Sequence, residues 1–128
     1  MGFLSKLFSG RPEVLPTSVS SLAEFREAVI ESDIPVIVDV WSPTCAPCKK
    51  LVPVLVEVAT RYADRVGIVE INAAGAERAL LNQLGVRATP TLIIYDGPKE
   101  FGRATGFRPR GWFDEMIAAE FPEARATA

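Results

Sequence analysis

Cys45 and Cys48 are the only two cysteines of the chain, and they are separated by two residues in the run Cys45-Ala46-Pro47-Cys48. The chain contains no histidine, which excludes Cys-His nucleophilic catalysis. It can supply at most half of a four-ligand structural zinc site unless it dimerises or adds carboxylates. In a reducing compartment, a cysteine pair at this spacing is more often catalytic than structural. The pair therefore predicts thiol–disulfide exchange, in which one thiol attacks a substrate disulfide and the other resolves the mixed intermediate.

The segments on either side of the cysteines assign a different role to each thiol. The apolar, β-branched run 36–41 predicts a strand buried on both faces of a sheet. Ser42-Pro43-Thr44 should end this strand, and residues 47–62 have the length and amphipathic spacing of a helix. Cys45 is thus expected at the helix N-terminus, where free N–H groups and the helix dipole stabilise a thiolate nucleophile. Cys48 is expected one turn inside the helix as the resolving thiol. Two inert buried cysteines, or half of a bridged metal site, remain as alternatives.

The rest of the chain alternates between helical and strand patterns. A capping box, Ser21-x-x-Glu24, predicts a helix over residues 21–32. Strands are predicted at 66–71, 91–95 and 100–105, the last two forming a hairpin. Helices are predicted at 76–84, closed by Gly85, and along an apolar stripe from residue 112 to 121. This order predicts an α/β fold with a central mixed β-sheet flanked by helices on both faces.

Length and composition bound the class of protein. A chain of 128 residues with 48% hydrophobic and 23% charged residues has the size and composition of one folded domain. Its formal net charge of −2 provides no field that would attract nucleic acid or an anionic membrane. No run of roughly 18 to 20 apolar residues predicts a membrane-spanning helix. Without a secretory signal pattern, a cytoplasmic location is expected.

Several short segments occur in an order that is specific when taken together. They are Val38-Asp39-Val40-Trp41, Cys45-Ala46-Pro47-Cys48-Lys49, Pro53, Gly85-Val86-Arg87, Thr89-Pro90-Thr91 and Gly106. Through them the sequence resembles the thioredoxin family over about residues 16–121. The resemblance implies a thioredoxin fold and the reduction of disulfides in protein substrates without a bound cofactor. It also implies recharging by a thioredoxin reductase that uses NADPH, and we expect a monomer.

The resemblance carries particular roles onto matching positions. Asp39 corresponds to the family's buried acid, the proton acceptor for Cys48, and a carboxyl among apolar neighbours is costly without a purpose. Pro90 corresponds to the family's cis-proline, whose loop lies against the cysteines and offers backbone groups to an extended substrate. The substrate-binding positions implied in this way are Trp41, Thr44, Ala46, Pro47, Thr89, Pro90 and Gly106.

The sequence departs from the family pattern at three positions. Ala46 replaces the usual glycine between the cysteines, which leaves the redox potential and the direction of transfer open. Thr44 stands where many thioredoxins have tryptophan, which removes an aromatic surface beside the nucleophile. Glu70 stands where the family often has lysine. If Glu70 approaches Asp39, like-charge repulsion would raise the pKa of Asp39.

Two other classes of function remain open from the sequence. One is a client-binding or chaperone-like module whose redox activity is secondary, and the other is a disulfide isomerase or oxidase. The domain itself is expected over residues 16–123, with a disordered end at 124–128. Residues 1–15 form an N-terminal extension, either flexible or a short amphipathic helix with Phe3, Leu4, Leu7 and Phe8 on one face.

Overall fold

The structure is a computed structural model that describes residues 12–124. Its strands are β1 (Thr17–Ser18), β2 (Val36–Trp41), β3 (Gly67–Asn72), β4 (Thr91–Asp96) and β5 (Lys99–Thr105). Its helices are α1 (Leu22–Phe25, continued by the π-helical turn Arg26–Ile30), α2 (Ala46–Arg61), α3 (Arg78–Leu84) and α4 (Arg110–Glu120), followed by the 3-10 turn Pro122–Ala124. Within residues 12–124, no helix combines the length and the apolar character needed to cross a membrane.

The five strands form one mixed sheet in the order β1-β3-β2-β4-β5. Strand β3 pairs in parallel with both β1 and β2, whereas β4 is antiparallel to β2 and to β5. The parallel β2–β3 pair needs a crossover, which α2 supplies, while β4 and β5 are joined by a tight turn. The predicted mixed sheet and its closing hairpin are confirmed.

Helices cover both faces of the sheet, as predicted, because the inner strands bury both sets of alternating side chains. On one face, Ile37 of β2 packs with Leu51 and Leu55 of α2 and with Phe113 and Ile117 of α4. On the other face, the valines of β2 pack against α1 and α3; this second core includes Phe25, Val29, Val36, Val38, Val40, Leu80 and Leu84. Asp39 and Trp41 share the face of Ile37, so the sheet directs both side chains toward α2.

Local signals account for the element boundaries. The Ser21 side chain accepts a hydrogen bond from the Glu24 backbone N–H at 3.1 Å, while the Glu24 carboxylate accepts one from the Ser20 N–H at 2.9 Å. The predicted cap is therefore present, although the return bond goes one residue earlier than in a standard capping box. The helix predicted at 76–84 begins two residues later, at Arg78.

Strand β1 has no counterpart in the sequence-based prediction. It contains only Thr17 and Ser18, both exposed, and it pairs with Val69 and Glu70 of β3. A strand of two exposed residues has no hydrophobic alternation from which it could be recognised. Its existence depends on the edge of β3 being available, which is a tertiary property.

Gly85 ends α3 with a left-handed backbone, φ 63°. We expect Gly85→Ala to lower the free energy of unfolding by about 1 kcal/mol, because a Cβ is unfavourable at this φ. A Cβ at Gly85 or at Gly111 meets no atom within 4 Å, so no steric clash contributes at either position. Gly111→Ala is the matched control, and at this helical position it should stabilise by up to about 1 kcal/mol. Urea denaturation checks both, and equal effects of the two variants would contradict the backbone explanation.

Both ends of the chain lie partly outside the described residues. Of the predicted N-terminal extension 1–15, only residues 12–15 are described, so the predicted apolar face of Phe3, Leu4, Leu7 and Phe8 lies outside this range. Of the predicted C-terminal end 124–128, only Ala124 is described, and it is buried at the close of the 3-10 turn. The expected domain boundaries stay predictions.

Candidate active site

The cysteine pair lies where β2 gives way to α2. Cys45 is the N-cap of the helix, and its Sγ accepts a hydrogen bond from the Cys48 backbone N–H at 3.2 Å. The two residues are joined by a disulfide, with their Cα atoms 5.2 Å apart. Cys45 is half-buried, whereas Cys48 is only 2% exposed. An external disulfide can therefore approach Cys45 more readily than Cys48.

A second loop closes over the cysteine pair from β4. The Thr89–Pro90 peptide bond is cis, as the family resemblance implies. The Thr89 carbonyl oxygen lies 3.4 Å from Cys45 Sγ, and the Thr89 hydroxyl lies 3.2 Å from the Ser42 hydroxyl. Gly106, with φ 97°, donates its N–H to the Pro90 carbonyl at 2.8 Å. These contacts bring Thr89, Pro90 and Gly106 together on the side of Cys45.

A cavity of about 440 Å³ lies next to the cysteines, between α2 and the β1–β3 side of the sheet. Asp39, Trp41 and Cys48 line its inner end, and Glu70 lines it from β3. Most of the remaining lining side chains are apolar; the full lining also includes Leu15, Pro16, Ser18, Ser42, Pro43, Lys49, Val52, Leu55 and Val56. Thr89, Pro90 and Gly106 are not among them. The cavity and the cis-proline loop therefore form two separate surfaces beside one cysteine pair.

Asp39 is a buried carboxyl with a raised pKa. Its side chain is 3% exposed, and burial together with repulsion from Glu70 raises the pKa of Asp39 to about 7. Asp39 and Glu70 are direct register partners on the parallel strands β2 and β3, so their side chains project to the same face. The Ser18 hydroxyl donates to Glu70 Oε2 at 3.1 Å. Among the described residues, Asp39 Oδ1 and Trp41 Nε1 have no hydrogen-bond partner.

The structure brings most of the sequence-predicted site residues to this region, in two groups. Thr44, Ala46 and Pro47 are exposed around the disulfide, on the part of the chain that also carries Cys45. Trp41 instead faces the cavity with Asp39. Their roles in binding substrate stay predictions.

Sequence reasoning missed the two hydroxyls that hydrogen-bond within the site. Ser42 contacts Thr89 across 47 positions of the chain, and Ser18 contacts Glu70 across 52 positions. No local pattern encodes contacts between residues so far apart in sequence. Only strand pairing and the cis-proline loop could have indicated them.

Chemically, this arrangement can form and break one disulfide next to a group that titrates near neutral pH. The disulfide closes a ring between Cys45 and Cys48, and Asp39 lines the same cavity as Cys48. A carboxyl with a pKa near 7 can accept or return a proton at neutral pH. Across residues 12–124, no group of three or more His, Cys, Asp or Glu side chains is placed to hold a metal ion.

Comparison with known proteins agrees with this geometry. The Thioredoxin family model matches residues 16–119. The chain is 38% identical to Thioredoxin 1 of Synechococcus elongatus over 88 residues, covering 69% of this chain and 81% of that protein. It is 39% identical to a thioredoxin of Haemophilus influenzae over 88 residues, with the same coverages of 69% and 81%.

A solved structure shows the same fold. Thioredoxin from Malassezia sympodialis (Mala s 13) superposes with a TM-score of 0.73 at 22% identity, covering 85% of this chain and 92% of the other. The family match, the relatives and the Cys45–Cys48 disulfide at the start of α2 agree with one another. The chain belongs to the thioredoxin family and is a thiol–disulfide oxidoreductase of the thioredoxin type.

Proposed function

We propose that the protein reduces disulfides in protein substrates, with Cys45 as nucleophile and Cys48 as resolving thiol. The observation that carries this proposal is the unequal burial of the pair: Cys45 is half-buried at the helix N-cap, whereas Cys48 is 2% exposed. An intermolecular attack needs an accessible sulfur. The second, intramolecular attack needs only that Cys48 lie within reach of Cys45.

The electrons and bonds balance over two steps. In the first, the Cys45 thiolate attacks one sulfur of the substrate disulfide, a mixed disulfide forms, and the other substrate sulfur leaves as a thiolate that takes up a proton. In the second, Cys48 loses its proton and attacks Cys45 Sγ, which releases the remaining substrate thiol. The Cys45–Cys48 disulfide is the product, and two electrons have passed to the substrate. The cysteine pair is itself the redox centre of this cycle.

Asp39 is the proposed proton acceptor for Cys48 in the second step. It lines the same cavity as Cys48, and its pKa of about 7 keeps both of its protonation states populated at neutral pH. Glu70 contributes to that raised pKa, second to burial. The proposed path of the proton to water runs through the cavity past Glu70.

The proposed substrate surface is the part of the molecule around the exposed end of the disulfide. The Thr89 carbonyl lies against Cys45, Pro90 follows Thr89 through a cis peptide bond, and Gly106 donates a hydrogen bond to the Pro90 carbonyl. Backbone groups of such a loop can pair with an extended segment of substrate. Thr44, Ala46 and Pro47 complete this surface, while Trp41 supports it from the cavity side.

The remaining parts of the proposal concern partners and location. By family likeness, we propose that a thioredoxin reductase using NADPH reduces the Cys45–Cys48 disulfide. We also propose that this chain itself binds no cofactor. The protein is proposed to act as a cytoplasmic monomer. Its relatives include cyanobacterial and bacterial thioredoxins, and also a chloroplastic one from Chlamydomonas reinhardtii.

The redox potential of the Cys45–Cys48 pair tests the proposed direction of transfer. The protein is equilibrated in defined glutathione or dithiothreitol buffers, and the fraction of free thiol is read by alkylation and gel shift. A potential near about −270 mV is expected for a reductant, whereas values near about −180 to −120 mV would identify an isomerase or an oxidant. If the two cysteines form no intramolecular disulfide at any buffer potential, the proposed reductase function is wrong and the protein is a client-binding module instead.

Glu70→Lys is expected to lower the pKa of Asp39, because an attractive charge replaces a repulsive one. Glu70→Gln should lower it less, since it only removes the repulsion. Carboxyl-carbon NMR gives the Asp39 titration, and single-turnover kinetics give the pH profile of the Cys48 step. Glu27→Lys, at an exposed acid of the π-helical turn on the opposite face of the sheet, makes the same change in net charge. Identical titrations in Glu70→Lys and Glu27→Lys would remove Glu70 from the mechanism.

A further inference from the structure

The cavity beside α2 is open to solvent on an apolar side, and the whole cavity is called the groove from here on. Leu15 and Val52 line it and are 68% and 57% exposed. They are two of the four large hydrophobic side chains that are exposed within residues 12–124, the others being Phe101 and Phe107. A volume of about 440 Å³ lies within the range of sites that enclose organic ligands. The groove is therefore large enough to hold several apolar side chains.

We propose that the groove is the docking site of residues 1–11 of this same chain, with Phe3, Leu4, Leu7 and Phe8 directed into it. In a helix these four residues share one face, which is the pattern of a segment that covers an apolar surface. A helix this short is marginal in water by itself. Burial of its apolar face in the groove supplies the free energy that the isolated segment lacks.

The connection between segment and groove supports this occupant. The described structure begins at Pro12, and three residues later the chain reaches the wall of the groove, which Leu15 and Pro16 line. Val14 is held at α2, where its N–H donates to the Thr60 hydroxyl at 2.9 Å. A tethered segment meets a neighbouring surface at high effective concentration. The wall of the groove begins at Leu15, four residues after the segment ends at Arg11.

The length of the connection also fits. Five residues, 9–13, lie between Phe8 and Val14, and in extended form they span up to about 17 Å. Along α2, Val52 lies eight residues before Thr60, a distance of about 12 Å. The chain can therefore turn back at Val14 and place Phe8 over Val52.

The charges are complementary. Lys6 and Arg11 are the only charged side chains among residues 1–11. The groove contains two carboxyls, Asp39 and Glu70, and one lysine, Lys49. Asp39 is 3% exposed, and its Oδ1 has no hydrogen-bond partner within the described part of the chain. A cationic segment docked on the groove would reduce the repulsion between the Asp39 and Glu70 carboxylates.

Trp41 lines the groove and can report its occupancy. The chain has two tryptophans, so Trp112→Phe leaves Trp41 as the only one. In this background, with the disulfide formed, Leu7→Glu is expected to shift the Trp41 emission to the red and to raise its acrylamide quenching constant. The control Ser5→Glu adds the same charge off the apolar face and should change neither. Equal spectra for the two variants would overturn the proposal.

Photo-crosslinking locates the segment directly. The full-length protein carries p-benzoylphenylalanine in place of Phe8, and adducts are mapped by mass spectrometry at low protein concentration. Adducts within one chain at Val52 or Val56 are expected, and Val52→Glu should abolish them. Adducts between two chains would assign the segment to a second copy. Capture of the protein by phosphatidylglycerol vesicles, without any intrachain adduct, would assign it to a membrane surface, and either result overturns the proposal.

Discussion

Cys45→Ser is expected to reduce the turnover of protein disulfides to the uncatalysed background, a loss on the order of 10³-fold or more. A serine hydroxyl at the helix N-cap cannot replace a thiolate in attack on a disulfide. Cys48 remains in this variant, but it is 2% exposed and an external disulfide cannot reach it easily. Insulin reduction, followed by turbidity, measures the loss.

Cys48→Ser should behave differently although it also blocks turnover. Cys45 is still half-buried at the N-cap, with the Thr89 carbonyl beside it, and can still attack. The mixed disulfide then has no resolving thiol and accumulates as a covalent adduct of one protein with one substrate, visible on a non-reducing gel. Adduct formation by Cys45→Ser instead would reverse the proposed roles of the two cysteines.

Client binding separates catalysis from a chaperone-like function. If Cys45→Ser loses turnover and also loses its effect on client aggregation, the redox cycle is the activity. If the variant suppresses aggregation as well as the parent does, holding clients is the primary activity. Asp33→Asn, which keeps both thiols and changes an exposed residue outside the site, is the control and should retain turnover.

Asp39→Asn is expected to make the protein more stable and slower. Burial and the repulsion from Glu70 raise the pKa of Asp39 to about 7 in the folded protein, from an ordinary value of 3.8. Between pH 3.8 and about pH 7, Asp39 holds a proton in the folded state that it has lost in the unfolded state. The free energy of unfolding therefore falls as the pH rises through this window, by a total on the order of 4 kcal/mol.

The asparagine variant lacks this ionisation, so its stability should change little between pH 4 and 8 on account of this site. At pH 8 it should be more stable than the parent by about 1 to 3 kcal/mol, because a buried amide without partners has a cost of its own. Near pH 4 this advantage should disappear. Urea denaturation across the pH range measures both, and Asp33→Asn, which removes an exposed carboxylate, should leave the pH dependence unchanged.

The same substitution removes the proposed proton acceptor of Cys48. The resolution step should slow by about 10²-fold at neutral pH, which is typical for the loss of a positioned acid–base group. The inflection near pH 7 in the pH–rate profile of this step should vanish. Retention of that inflection in Asp39→Asn would assign the titrating group to another residue. A stability gain without a kinetic effect would leave Asp39 as a buried acid with no part in the reaction.

Local patterns were sufficient for the main elements of the fold. The β-branched run at 36–41 is β2, and the glycine that was predicted to close the third helix has the expected positive φ. The hairpin around Asp96 and Gly97 joins β4 to β5. These features depend on interactions between residues close in sequence, where periodicity, capping and turn chemistry act. For the same reason, the two-residue strand β1 was not predicted, because its pairing partner lies about 50 positions away.

The sequence by itself determined the chemistry of this protein: two thiols at a strand-to-helix junction, one acid in a buried strand and no histidine. Only the tertiary structure decided how those groups are exposed and charged. The register of β2 against β3 places Glu70 opposite Asp39, and the approach of the cis-proline loop places Thr89 beside Cys45. The packing of α2 against the sheet buries Cys48 and leaves a groove beside it. Burial and electrostatic coupling depend on contacts between distant parts of the chain, so no local pattern contains them.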